Sequence, residues 1–337
     1  NIDDSIDENY GGNTSSGHPL CVQDGLFILL NRTNRTVSLF SVNQDSKAPL
    51  DTLNLANLEA EITDPDIQGS TLSSAHHISR SPREREKVYF ASMEGSFNSS
   101  GVLEPGGVLK FLVVDEELVV VDYQATRGAV HHLDITSDGE YVLQGTTEGG
   151  AGKLYVLNAG SDAYDPMSVE EIIDVGNGAG HVFTSEKRKL AVVTNHDDIF
   201  LSIIDMDGDD DGKADTPDTW TTTNAWIPRG TTYNESGEVE DPGNTGRDAT
   251  RARGQKIQAH TASVSGIDPQ EQYYYGSAAA DGIFYRIDLE NLGNYDDPDE
   301  QFPAEDMLDV EAELGDSYLI QGDYNWNEPS GPMGGMN

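Results

Sequence analysis

The chain has 337 residues, 60 of them acidic and 20 basic, for a formal charge of −40. That charge repels nucleic acid and anionic membrane surfaces and excludes both as partners, and the most apolar stretch, residues 109–121, is broken by Asp115, Glu116 and Glu117, so no membrane span is expected. A hydrophobic fraction of 36% suits half-buried strands, acidic charge spread along the whole chain resembles the solvation of proteins from salt-loving organisms, and a lone Cys21 forbids both an internal disulfide and a cysteine-built zinc site.

Residues 1–16 form a polar extension carrying the first of five N-x-Ser/Thr sequons, at Asn13, Asn31, Asn34, Asn98 and Asn234. Such acceptors matter in exported proteins, so an extracellular or cell-surface location is expected, with glycans at those asparagines. From Gly17 a repeat begins. The chain reads G-H-P-L-C-V-Q-D-G-L-F-I-L-L from Gly17, A-H-H-I-S-R-S-P-R-E-R-E-K-V-Y-F from Ala75 and V-H-H-L-D-I-T-S-D-G-E-Y-V-L from Val130. It then reads G-H-V-F-T-S-E-K-R-K-L-A-V-V from Gly180 and A-H-T-A-S-V-S-G-I-D-P-Q-E-Q-Y-Y-Y from Ala259. Each copy is a histidine, a short strand, a polar turn and a β-rich strand. A third strand follows in every copy, and a fourth is expected at Leu118 to Asp122 and Glu171 to Val175. Four strands per repeat is the size of a propeller blade, and radial closure protects edges that an open array of hairpins would expose. The expected fold is therefore an all-β β-propeller over residues 17–322, with five clear blades and Ser317 to Gly322 beginning a partial sixth or closing the first.

An insertion at 205–255 carries Asp207-Gly208-Asp209-Asp210-Asp211-Gly212-Lys213-Ala214-Asp215-Thr216-Pro217-Asp218. This fits D-x-D-x-D-G, with acids at loop positions 1, 3, 5, 9 and 12 and glycine where the chain must turn sharply, a spacing that wraps calcium in hard oxygens. The predicted ligands are Asp207, Asp209, Asp211, Lys213 through its backbone position, Asp215 and Asp218. No helices flank the loop in the sequence, so a stabilising ion rather than a calcium switch is expected. Residues 323–337 form a Gly- and Met-containing tail, and burial of both termini against a neighbouring copy predicts a homo-oligomer or polymer.

The turn Ser137-Asp138-Gly139, and its degraded form Ser81-Pro82-Arg83-Glu84, resemble the Ser-Pro-Asp-Gly turn of the YVTN-like propellers. His76-His77, the Gly-Ala-Gly-His run ending at His181 and the Asn-Arg-Thr-Asn-Arg-Thr-Val stretch are similar to the propeller domain of nitrous oxide reductase. That resemblance covers short patches between residues 17 and 290 and implies a histidine-ligated copper site; the cupredoxin domain of that enzyme has no counterpart here.

The first strand of each blade lines the axis of a propeller, so a residue at one point of every first strand lands in one ring. His18, His77, His132, His181 and His260 are predicted to form that ring. Imidazole without thiolate favours copper, with zinc next. His76 and His131 are further candidates, though in a regular strand they would point away from their neighbours. A redox or electron-transfer role follows from copper; a structural subunit of a surface layer or filament, stabilised by calcium, is the alternative.

Overall fold

The computed structural model describes residues 19–21, 25–31, 34–43, 48–61, 71–83, 87–94, 96–97, 103–104, 106–148, 151–195, 198–209, 211–228, 232–233, 239–241, 266–278, 283–297, 300 and 302–309. They form five four-stranded antiparallel sheets, in each of which the strands lie side by side in chain order, as well as a two-stranded and a three-stranded sheet. Blade 1 is Pro19–Cys21, Leu26–Asn31, Thr36–Ser41 and Asp51–Asn54; blade 2 is Ala75–Arg80, Val88–Met93, Gly107–Val114 and Glu117–Ala125. Blade 3 is Ala129–Ile135, Tyr141–Glu148, Ala151–Asn158 and Ser168–Val175. Blade 4 is Ala179–Ser185, Leu190–Asn195, Phe200–Asp205 and Thr221–Trp226, and blade 5 is Gly266–Ile267, Tyr273–Ala278, Ile283–Asp288 and Met307–Asp309. The chain is a β-propeller with four-stranded blades.

The segments repeat because the same turn chemistry recurs. Ser81, Thr136, Ser185 and Asp268 each end a first strand, and each side chain accepts the backbone N–H of a residue two to five positions ahead. Ser and Thr hydroxyls and Asp carboxylates compete well for such local N–H groups, so they close the turn before the second strand starts. In blade 3 the turn also needs Gly139, whose φ of 72° lies in the left-handed region.

The chain divides into two compact units, the first running through residue 149 and including 154–173, the second comprising 150–153 and residues from 174 onward. In the first unit the second strand of blade 2, V-Y-F-A-S-M, is buried throughout and faces two ways. Tyr89 and Ala91 pack with Ile28, Leu30 and Leu39 of blade 1, while Val88 and Phe90 pack with Leu133, Val142 and Tyr155 of blade 3. The period of two sends alternate side chains to opposite faces, which is why a blade between two others reads as continuously apolar. The larger of these side chains, such as Val88 and Phe90, each contribute about 1.5–3 kcal/mol by leaving water. Polar pins cross the same seams. Asp51 Oδ2 accepts the Leu118 N–H at 2.7 Å, and Asp122, 3% exposed, accepts the Met167 N–H at 2.7 Å. Lys110, 1% exposed in blade 2, donates to the carbonyls of Ala159 (2.7 Å), Asp162 (3.3 Å) and Asp165 (2.7 Å) in the loop after the third strand of blade 3.

In the second unit, Leu190, Val192, Leu201 and Ile203 of blade 4 pack with Tyr274, Tyr285 and Ile287 of blade 5. Glu271 accepts from the Ser185 hydroxyl and the Lys187 N–H, and its carbonyl accepts from Arg188 Nε. The aspartate-rich segment, expected to lie in an insertion ahead of the fifth blade, is instead the connection between the third and fourth strands of blade 4, since Thr221–Trp226 returns to pair with Phe200–Asp205. Residues 317–322 and the terminal segments 1–16 and 323–337 lie outside the described residues.

Candidate metal sites

The histidines sit on β-bulges. In blade 2, Ala75 pairs with Met93 and Ile78 with Ala91, so His76 and His77 together oppose Ser92. In blade 3, Val130 pairs with Thr146 and Leu133 with Gln144, so His131 and His132 oppose Gly145. In blade 4, Ala179 pairs with Asn195 and Val182 with Val193, so Gly180 and His181 oppose Thr194. Three blades thus place two residues against one at the same point, and a bulge breaks the strict alternation of side chains. The strand is therefore not regular at the point where regularity would turn His76 away from His77, and both rings reach His132, whose centroid lies 5.3 Å from that of His76 and 4.0 Å from that of His77.

The bulged backbone is braced by side chains of the second strand. Ser92 Oγ accepts the His77 N–H at 2.9 Å and approaches the His77 carbonyl at 3.4 Å. Gln144 Nε2 donates to the carbonyls of His132 and Gly145, both at 2.9 Å. In the second unit, Thr194 Oγ1 accepts the His181 N–H at 2.8 Å. Sequence reasoning passed over these braces. The signal was available as a buried polar residue directly after the apolar run that opens each second strand: Ser92 in V-Y-F-A-S-M, Gln144 in Y-V-L-Q-G-T-T-E and Thr194 in L-A-V-V-T-N.

His132 is 4% and His181 2% exposed. His77 stacks on His132 with 23° between planes, so their in-plane lone pairs run side by side, while His76 stands at 63° to His132. Imidazole nitrogens are the right donors for a borderline transition ion, and joining at one ion requires the stacked pair to turn about its side-chain bonds. His181 belongs to the second unit, where its ring stacks on Phe183 at 5.9 Å. His77, His132 and His181 each lie four residues before the turn residues Ser81, Thr136 and Ser185, whereas His260 lies eight before Asp268. His18 and His260 fall outside the described residues, as does the side chain of His131.

The aspartate loop is a different kind of site. Carboxylate oxygens of Asp207, Asp209 and Asp215 all lie within 4.8 Å of one another, the one such grouping of metal-ligating side chains among the described residues. The loop is held in shape by its own first residue: Asp207 Oδ1 accepts the Asp211 N–H at 3.0 Å and Oδ2 the Gly212 N–H at 2.7 Å. Gly212 has φ 84°, the left-handed turn expected at that position. Asp215 Oδ2 accepts the Gly208 N–H at 2.9 Å, and the Asp215 carbonyl is fixed by Trp220 Nε1 at 2.9 Å. The Asp211 N–H also bonds Asp209 and lowers its pKa, but the charges of Asp211, Asp215 and Asp207, together with partial desolvation, outweigh that bond and leave it raised. Asp211 and Asp218 do not join the triad. Asp211 Oδ1 accepts the Lys213 N–H at 2.9 Å, and Asp218 Oδ1 accepts the Thr216 hydroxyl at 2.6 Å, beside the short 3-10 turn Pro217–Thr219. Lys213 Nζ reaches Asp211 at 3.7 Å, on the exposed side of the loop.

Of the sequons, Asn31 ends a paired strand and its Oδ1 accepts the Asn34 N–H at 2.9 Å. Asn13, Asn98 and Asn234 lie outside the described residues.

No protein-family model matches this sequence, and no curated protein matches it. Similar solved structures include a hypothetical selenium-binding protein from Sulfolobus tokodaii, 11% identical with a TM-score of 0.50, covering 79% of this chain and 56% of that one. Hydrazine synthase from Kuenenia stuttgartiensis is 10% identical with a TM-score of 0.49, covering 80% and 62%. The β-propeller domain of Myceliophteria thermophila Cps50 is 10% identical with a TM-score of 0.46, covering 85% and 70%. The chain spans less than two thirds of the first two, and at these identities the likeness is one of fold.

Proposed function

We propose that this chain is a metal-binding propeller that holds a transition ion, copper or zinc, at His76, His77 and His132. The observation that supports this reading is the meeting of three imidazoles from the first strands of two blades, two of them consecutive in sequence and brought to the third by a bulge. Imidazoles without thiolates bind copper most strongly among divalent ions, with zinc next, and copper adds a redox or electron-transfer role. The aspartate loop serves a second, hard cation of the calcium kind, because three carboxylates gathered on a preshaped turn repel one another until a cation joins them. The five sequons support an exported chain, in which both ions are at hand.

Elemental analysis of protein purified without chelator or affinity tag tests this. Copper or zinc near one per chain in the native protein, falling to background in His77→Ala/His132→Ala with the far-UV circular dichroism unchanged, is the expected result. Unchanged metal content in that variant overturns it. Calcium alone, lost in Asp207→Ala, would favour the second reading, a structural propeller stabilised by its loop and built into an extracellular assembly.

A further inference from the structure

The bulges that present the histidines are not self-supporting. A bulge takes one residue out of the ladder, leaving backbone N–H and C=O groups that the facing strand cannot pair. When those groups are buried they need partners, because an unsatisfied one costs about 1–3 kcal/mol. In blade 2 the Ser92 hydroxyl supplies the partner for the His77 N–H, at 2.9 Å, from a side chain with no exposed surface. In blade 3 the residue facing the bulge is Gly145, which has no side chain to offer, and the support comes from one residue earlier: Gln144 Nε2 bonds the His132 carbonyl at 2.9 Å. Blade 4 repeats the blade 2 arrangement with Thr194. Serine and threonine thus serve a bulge N–H in blades 2 and 4, and glutamine serves a bulge carbonyl in blade 3.

The alternative to a bulge is a regular ladder, and a one-residue slip carries every following side chain to the other face of the sheet. His77 faces blade 3 by ordinary alternation, since Ile78 next to it packs toward blade 1 and Ser79 beyond that donates to the Leu133 carbonyl of blade 3 at 3.3 Å; His76 reaches the same side, 5.3 Å from the His132 ring, only while the bulge persists. Gln144 adds a second feature. With Nε2 committed to two carbonyls, its Oε1 is buried and has no hydrogen-bond partner among the described residues.

From this we infer that Ser92 and Gln144 are positioning residues of the histidine site, holding the two bulges in the register that turns His76, His77 and His132 toward one another. The inference rests on the metal-binding reading above. Partners of metal ligands that fix ring orientation change affinity by about 10- to 100-fold when removed, and that range is expected for Ser92→Ala and for Gln144→Met, which keeps the volume and loses both polar atoms.

The test is a competition titration of the full-length chain with zinc(II) and copper(II) against a chromophoric chelator, with electron paramagnetic resonance of the copper form. The set is native, His77→Ala, Ser92→Ala, Ser92→Thr, Gln144→Met and, as a stability control, Asp306→Ala in blade 5. Expected are loss of binding in His77→Ala, a 10- to 100-fold weakening with an altered copper spectrum in Ser92→Ala and Gln144→Met, recovery in Ser92→Thr, and native affinity in Asp306→Ala. If His77→Ala binds as the native chain does, the metal reading fails. If His77→Ala loses binding while Ser92→Ala and Gln144→Met keep native affinity and spectrum, the positioning inference alone fails. A Ser92→Ala chain that does not fold leaves Gln144→Met to decide the same question.

Discussion

The histidine and aspartate sites solve the same problem, gathering ligands for a cation, by opposite routes. The aspartate loop draws Asp207, Asp209 and Asp215 from nine consecutive residues and shapes itself, with Asp207 accepting the N–H groups of Asp211 and Gly212. The histidine site draws on strands of two blades, His76 and His77 from one and His132 from the next, and depends on side chains further away to hold the backbone that carries them. A local site is robust to changes elsewhere in the chain. A site made by juxtaposition inherits every weakness of the seam between its blades.

The sharpest way to exploit that difference is to weaken the seam. Lys110→Met keeps the stem and removes the ammonium that satisfies the carbonyls of Ala159, Asp162 and Asp165 between blades 2 and 3. Leaving a buried carbonyl without its donor costs about 1–3 kcal/mol, and three carbonyls lose theirs here, so the unfolding free energy extrapolated from urea denaturation should fall by several kcal/mol. Histidine-site binding should weaken with it, while calcium binding by the loop changes far less. Equal loss at both sites would erase the distinction drawn here.

Next in size is Asp207→Ala. A ligand at one hundred times its dissociation constant stabilises the folded state by about 2.7 kcal/mol, and the thermal midpoint of the native chain should rise accordingly on adding calcium over chelator. In the variant that rise should vanish, and a rise that survives would move the ion elsewhere. Arg83→Met is milder. It removes the bonds from Nη1 to the Gly160 carbonyl at 2.8 Å and from Nε to the Asp138 carbonyl at 3.2 Å, and charged hydrogen bonds of this kind contribute about 1.5–3 kcal/mol each at most. Because the side chain is only partly buried, a loss near the lower end is expected by the same denaturation assay.

The smallest effect is a pH dependence at the turn of blade 5. Asp268 has a pKa below its ordinary value of 3.8, led by the N–H of Tyr273, with those of Gln272 and Gln270 adding to it against partial desolvation. A carboxylate depressed in the folded state contributes stability that is complete above its unfolded pKa and lost as pH falls through the folded one. Asp268→Asn should therefore be less stable than the native chain by a constant amount from neutrality down to about pH 4, with the difference closing as the pH falls further. A variant that alters the profile only above pH 6 would contradict the assignment.

The repeat, the four-stranded blade and the aspartate loop were all readable from residue order. Turn closure by Ser81, Thr136 and Asp268 and the wrapping of Asp207 around Gly212 involve groups a few residues apart, so spacing and side-chain chemistry are enough to determine them. Two placements were not readable. The loop lies within blade 4 because Thr221–Trp226, a run of threonines, asparagine and one tryptophan with no marked alternation of apolar residues, pairs as an edge strand by backbone hydrogen bonds. Asp218 turns to Thr216 because a proline between them begins a short helical turn.

By itself, then, the sequence determined the fold class, the number of strands per blade and the nearness of Asp207, Asp209 and Asp215. Only the tertiary structure decided that His76 and His77 both face His132. An alternating strand sends consecutive side chains to opposite faces, and it takes a bulge, opposed by Ser92 and Gly145 on facing strands, to send them the same way.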